Sequence, residues 1–174
     1  MIESVFKLPE GMSAKKEGHK IAIVGKLGEV KTDFLNPIVK FEINGNEVLF
    51  KSDVKSRKSK KLIETYLSKL KQITHGVEKG YTYKMKICFT HFPITAKVDG
   101  HTLLIENFLG ERSPRKARLY PNVKVVVAKQ DITLTGPDRY AVSQSAANIE
   151  QAARITGRDR RVFQDGIYIT SKDE

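Results

Sequence analysis

The chain holds one arginine, Arg57, in residues 1–80 and eight in residues 81–174: Arg112, Arg115, Arg118, Arg139, Arg154, Arg158, Arg160 and Arg161. Lysines run the other way, 15 against seven. The two residue types share a charge but not a chemistry. A lysine ammonium is a well-hydrated point charge, whereas a guanidinium is a planar fork that holds phosphate through two hydrogen bonds and stacks on bases. Two stretches concentrate the arginines: RSPRKAR (112–118), which adds Lys116, and Arg154–Arg161. Phe163 and Tyr168 follow the second stretch, and Lys172 extends its charge. The candidate polyanion-gripping set is Arg112, Arg115, Lys116, Arg118, Arg139, Arg154, Arg158, Arg160, Arg161, Tyr168 and Lys172. A competing account, drift of composition on solvated faces, is weighed down by the clustering. Phe163 reads first as core, and Tyr168 divides evenly between core and a stacking platform.

Other chemistries are excluded by spacing. Cys88-x-x-His91 has the separation of zinc ligands, but no second Cys/His pair exists to close a site, so no metal is expected. Gly25-x-x-Gly28 is not followed by Gly-Lys-Ser/Thr and is not a phosphate loop. Ser143 and Ser145 stand outside any nucleophile-elbow context, and the carboxylates form no acid/base pair. No enzyme and no cofactor is expected. One cysteine excludes an internal disulfide and fits a reducing compartment. The net charge of +11 points to a polyanion, nucleic acid before an anionic membrane surface. Apolar runs are too short to span a bilayer, and Lys7 and Pro9 interrupt any signal-peptide core, so a cytosolic protein is expected.

The arginines must be mounted on something, and Gly136–Ile169 supplies it. Gly136-Pro137-Asp138 is turn chemistry. Val142, Ala146, Ile149 and Ala153 then recur at helical spacing on a small-residue face, with Ser143 or Ser145 as N-cap. Gly157 is the expected stop, with Arg154 and Arg158 where the helix dipole favours cations. Phe163, Ile167, Tyr168 and Ile169 resume a strand-like run.

This segment has a partner earlier in the chain. Ser13–Glu29 aligns without gaps on Thr95–Glu111, with eight of seventeen positions identical, among them His19/His101, Leu27/Leu109 and Gly28/Gly110. After a two-residue slip Pro37 falls on Pro121, and after a second Ile63-Glu64 falls on Ile149-Glu150 and Gly80 on Gly166. The chain is therefore two tandem copies of one unit, 1–80 and 81–174, the second expected to carry the main binding surface. The twin histidines read as a structural position.

Within the first copy, Val5–Leu8 and Lys20–Val24 read as strands, with Pro9-Glu10-Gly11 ending the first. Gly25 and Gly28 suggest a bend or bulge before Val30. Ile38–Phe50 reads as a hairpin around Asn44-Gly45. Lys51–Lys61 is a lysine-rich loop and helix entry, and Leu62, Ile63, Tyr66, Leu67, Leu70 and Ile73 mark one face of a helix. In the second copy Tyr81–Phe92 reads as a long strand and His101–Glu106 as the next. Val123–Ala128 and Asp131–Leu134 form a hairpin with a longer turn. RSPRKAR reads as a loop. The expected class is α+β: two tandem duplicated copies of a small antiparallel sheet with one helix packed on a face. The copies are expected side by side, joined through the long strand.

Two of these stretches are more than patterns. SQSAANIEQ (143–151) and RVFQDGIYI (161–169) resemble the C-terminal signature of the sixth large-subunit ribosomal protein, called L-six in bacteria and archaea and L-nine in eukaryotes, in its archaeal/eukaryotic version. The internal duplication is also that family's architecture, so the resemblance covers essentially the whole chain. It implies a structural constituent of the large ribosomal subunit, cytoplasmic in the ribosome, that binds large-subunit rRNA near the sarcin–ricin loop and the translation-factor docking region. The partners it implies are that RNA, neighbouring ribosomal proteins and translational GTPases nearby, with no membrane. The part matching Arg154–Tyr168 would lie nearest the RNA. Ile155-Thr156-Gly157-Arg158-Asp159 departs from the lysine-rich link of archaeal members, so individual contacts are not carried over there. The alternative is a protein-interaction adaptor near translation factors with weak RNA contact.

Overall fold

The computed structural model describes residues 2–9, 11–34 and 36–172. The chain divides into two compact units, Met1–Gly80 and Tyr81–Glu174. In the first, β1 (Ile2–Lys7), β6 (Glu47–Ser52) and β5 (Lys40–Asn44) form one antiparallel sheet in that order. β2 (Ser13–Glu17), β3 (Lys20–Gly25) and β4 (Gly28–Asp33) form another. Helix α1 (Arg57–Glu78) buries Ile63, Tyr66, Leu70, Ile73 and Val77. Phe34, Phe41, Phe50 and Tyr66 interlock edge-on and tilted beneath it, with ring centroids 4.9 Å apart for Phe34 and Tyr66. Ser56 caps the helix start by accepting from the Ser59 amide.

The second unit repeats the plan with one strand added. β11 (Lys124–Ala128), β12 (Asp131–Gly136), β7 (Tyr81–Cys88) and β13 (Gly166–Lys172) form a four-stranded sheet in that order, and β10 (Arg115–Arg118), β9 (Thr102–Glu106) and β8 (Thr95–Asp99) a three-stranded one. All pairings are antiparallel. Helix α2 (Arg139–Ala152) buries Ala141, Val142, Ala146 and Ile149, the small face read from the sequence, and packs on β7, β10, β12 and β13. Its buried Ser145 hydroxyl donates to the Ala141 carbonyl and accepts the Tyr120 amide at 3.0 Å, which leaves no polar atom stranded in the close contact. The fold is thus α+β, with small antiparallel sheets and one helix to each unit. No described helix is long and apolar enough to cross a membrane.

Several local expectations change. β1 starts at Ile2, and β2 was not anticipated, because its exposed lysines hide the strand period. Glu10, in the turn read after β1, lies outside the described residues. Gly25 and Gly28 are not a bulge: they pair across a two-residue hairpin turn, where a Cβ on Gly25 would collide with Val77. The first hairpin turns on Gly45-Asn46, since Asn44 pairs with Glu47. The β11–β12 turn is no longer than this, since Ala128 pairs with Asp131. Part of RSPRKAR is strand β10, and the strand from Tyr81 ends at Cys88. The twin histidines hold twin bonds: the Phe34 amide donates to His19 O at 3.0 Å and the Leu119 amide to His101 O at 2.8 Å.

Candidate nucleic-acid interface

Helix α2 starts earlier and stops earlier than its apolar period suggests. Asp138, not a serine, is the N-cap, accepting the Tyr140 amide at 2.9 Å. The helix ends at Ala152, five residues before Gly157. At that end it meets a side chain from another element. Arg115 on β10 donates through Nη1 to the carbonyls of Ala152 and Arg154, at 3.0 and 2.9 Å. These are among the carbonyls that a helix terminus leaves without partners, and a cation there also meets the negative end of the helix dipole.

Arg115 is engaged elsewhere as well. Its Nε and Nη2 form a two-pronged pair with the Glu111 carboxylate at 2.8 and 2.6 Å. Its guanidinium lies 4.1 Å from the centroid of the buried Phe108 ring. The hydrogen bond from Arg115 holds the Glu111 carboxyl below its ordinary value of 4.5. Partial burial opposes this, and the charges of Arg115 and Arg158 add to it. Arg115 is therefore committed to the fold: it is a positioning residue, and the single Nη2 hydrogen its four bonds leave over cannot make a two-pronged fork on phosphate.

From Ala153 to Asp165 the chain is irregular, and it is pinned at both ends. At the far end the buried Asp165 carboxylate accepts the Thr90 amide at 2.9 Å. Inside the loop Asp159 accepts the Arg161 amide on its side chain and the Val162 and Phe163 amides on its carbonyl. Gly157 takes φ +70°. This internal bonding turns Arg154, Arg158, Arg160 and Arg161 outward, all exposed. Arg158 lies over the half-buried Phe163 ring at 4.8 Å, so Phe163 serves the core with one face and an arginine with the other.

The two arginine stretches thus meet at the end of α2, a juxtaposition no local pattern could show. Arg112 is exposed in the segment between Glu111 and β10. Lys116 and Arg118 flank the buried Ala117 on β10 and point away from the core. Tyr168 is 43% exposed on β13. Two residues do not join the cluster. Arg139 opens the 14-residue α2 and sits 6.0 Å from the Tyr81 ring, about 20 Å along the helix from Arg154. Lys172 pairs with Tyr83 at the opposite end of β13 from Gly166, again about 20 Å away. The sequence reading missed Glu111, Asp159, Asp165 and Gly166. Glu111 and Arg115 are four apart, a pairing looked for on helices, and here it spans a turn and a strand. Among the described residues no group of three His, Cys, Asp or Glu could hold a metal ion.

The class of protein follows from comparison. The family model described as Ribosomal protein L6 matches residues 92–166, a span that includes both arginine stretches and α2. The large ribosomal subunit protein uL6 of Methanospirillum hungatei is 41% identical over 173 residues, covering 99% of this chain and 98% of that protein. Those of Ignicoccus hospitalis and Haloarcula marismortui are 42% and 37% identical, covering 99% and 96% of this chain and 95% and 94% of theirs. The chain belongs to the ribosomal protein L6 family, in its archaeal form. That family is one of structural, non-enzymatic ribosome components.

Proposed function

We propose that this chain is a structural constituent of the cytoplasmic ribosome's large subunit and that its second unit, residues 81–174, is the main rRNA-binding domain. The observation that carries the reading is the shortened end of α2, where Arg115 ties two arginine stretches together and leaves Arg154, Arg158, Arg160 and Arg161 exposed on a pinned loop. Such side chains displace condensed counterions from folded RNA, and the RNA is recognised by its shape. Family membership supports placing this loop near the sarcin–ricin loop and the translation-factor docking region, beside neighbouring ribosomal proteins and within reach of translational GTPases.

The test is a filter-binding titration of the full chain on large-subunit rRNA across a salt series, followed by a nuclease footprint. Affinity should fall steeply with salt, and the footprint should cover the sarcin–ricin region. A flat salt response would favour the adaptor reading, and protection elsewhere would remove the location.

A further inference from the structure

Beside the released end of α2 lies a hollow of about 430 Å³. Its floor is apolar, made by the buried Ala153, Ile155 and Ile167. Arg154 and Arg160 line it from the arginine loop, Glu150 from the last turn of α2, and Tyr168 forms one wall. The Tyr168 ring is set in place. It lies so close over Gly166 that a Cβ there would meet the ring's Cζ and the hydroxyl oxygen at 2.8 Å. Its hydroxyl reaches the carbonyls of Asp165 and Gln164 at 3.4 and 3.5 Å. A ring already fixed loses little freedom when something stacks on it.

We infer that this hollow receives one unstacked base of the bound RNA, laid against Tyr168, while Arg154 and Arg160 hold the phosphates on either side of it. The inference rests on the RNA reading above and names what that site takes. Arg154 and Arg160 give a phosphate its donors along the wall, but the floor of Ala153, Ile155 and Ile167 has nothing for it to bond and the Glu150 carboxylate opposes it, so the phosphates stay with the arginines and the apolar floor is left for another group. A base suits it on each count. Its π-face matches the tyrosine ring, its body matches the Ala153, Ile155 and Ile167 floor, and its amino edge can donate to a carboxylate. The volume falls in the range that encloses small ligands.

Stacking and charge neutralisation leave different marks. Losing a stacking platform lowers affinity and leaves the salt slope alone, whereas losing a phosphate contact lowers the slope by about one. The experiment uses the full chain and the large-subunit rRNA fragment protected in the footprint. Tyr168→Leu should weaken binding about tenfold at an unchanged salt slope, and Tyr168→Phe should stay within about twofold of the parent. Wild-type binding that is steep in salt, together with a Tyr168→Leu variant as tight as the parent, would overturn the base pocket and leave the electrostatic clamp standing. Wild-type protein that fails to bind the RNA removes both. Should Tyr168→Leu lower the melting temperature, a scan of single abasic sites through the RNA decides on the unaltered protein. One position should cost about tenfold, and the absence of any such position rejects the pocket.

Discussion

The two copies part at the ends of their helices. Helix α1 runs 22 residues and α2 only 14. With Ile63 set on Ile149, the core residues Leu70, Ile73 and Val77 of the first copy fall on Thr156, Asp159 and Phe163 of the second. Two of three apolar positions are gone, and a helix with no stripe to bury has little to hold it. The sheet makes the complementary change. Ile23 pairs with Val30 in the first unit and Ile105 with Arg115 in the second, so the arginine occupies the register position of a buried valine. Burying a valine is worth about 1.5–3 kcal/mol, and each hydrogen bond to a charged group about as much, so a guanidinium with four bonds can replace it. The helix ends are answered differently too. In the first unit the Leu27 amide at the tip of a two-residue turn donates to Val77 O at 3.1 Å. In the second the Arg115 side chain does that service about three turns sooner. One scaffold therefore yields a closed helix or an open cationic loop, according to a few side chains at one end.

The largest effect that would sharpen this contrast is on RNA affinity. Replacing Arg158, Arg160 and Arg161 together by glutamine should lower the salt slope of rRNA binding by about three. The same change at Lys58, Lys60 and Lys61, exposed in the first turns of α1, should lower it by less than about one. Equal losses in the titration would break the asymmetry between copies. Next comes Arg115→Val, which installs the first copy's residue. It should cost about 2–4 kcal/mol of stability in urea unfolding and weaken RNA binding as well, although every exposed arginine remains. Unchanged stability would mean that the helix end needs no cap. The smallest effect is on pH dependence. A carboxylate held below 4.5 by Arg115 stabilises the fold fully above that value, and the contribution is lost as pH falls from 4.5 toward the depressed value. Glu111→Gln should remove that part of the acid-side loss, seen as a shallower fall in melting temperature from about pH 5 to about pH 3.

Much of the scaffold was legible because local signals and a repeat agreed. The alternation of Val39, Phe41 and Ile43, the stripe from Ile63 to Ile73 and the small face of α2 each announce an element, and the duplication checks one copy against the other. The two-residue slip was only partly readable. The strand register resolves it into three residues gained in the β9–β10 turn and one lost before Pro121 relative to Pro37. The start of α2 was hidden because Arg139 and Tyr140 are solvent-facing and carry no apolar period. Its end was hidden because the cap comes from 37 residues away. For the same reason Arg115 was indistinguishable from its neighbours in RSPRKAR: burial and partnership, not residue type, set it apart.

The added strand β13 has a consequence for the order in which the molecule can assemble. The first unit's strands and helix all lie within residues 1–80, so its contacts can close while later chain is still being made. In the second unit β7 is flanked by β12 and β13, and Ile167 pairs with Ile87, eighty positions apart. Closing so wide a loop is slow, and it must wait for residues 166–172 to emerge. Until they do, Asp165 cannot be fixed against Thr90 and the arginine segment is tethered at one end only. On a nascent chain it would behave as a loose basic segment, and it takes its pinned shape only once residues 166–172 have paired with β7.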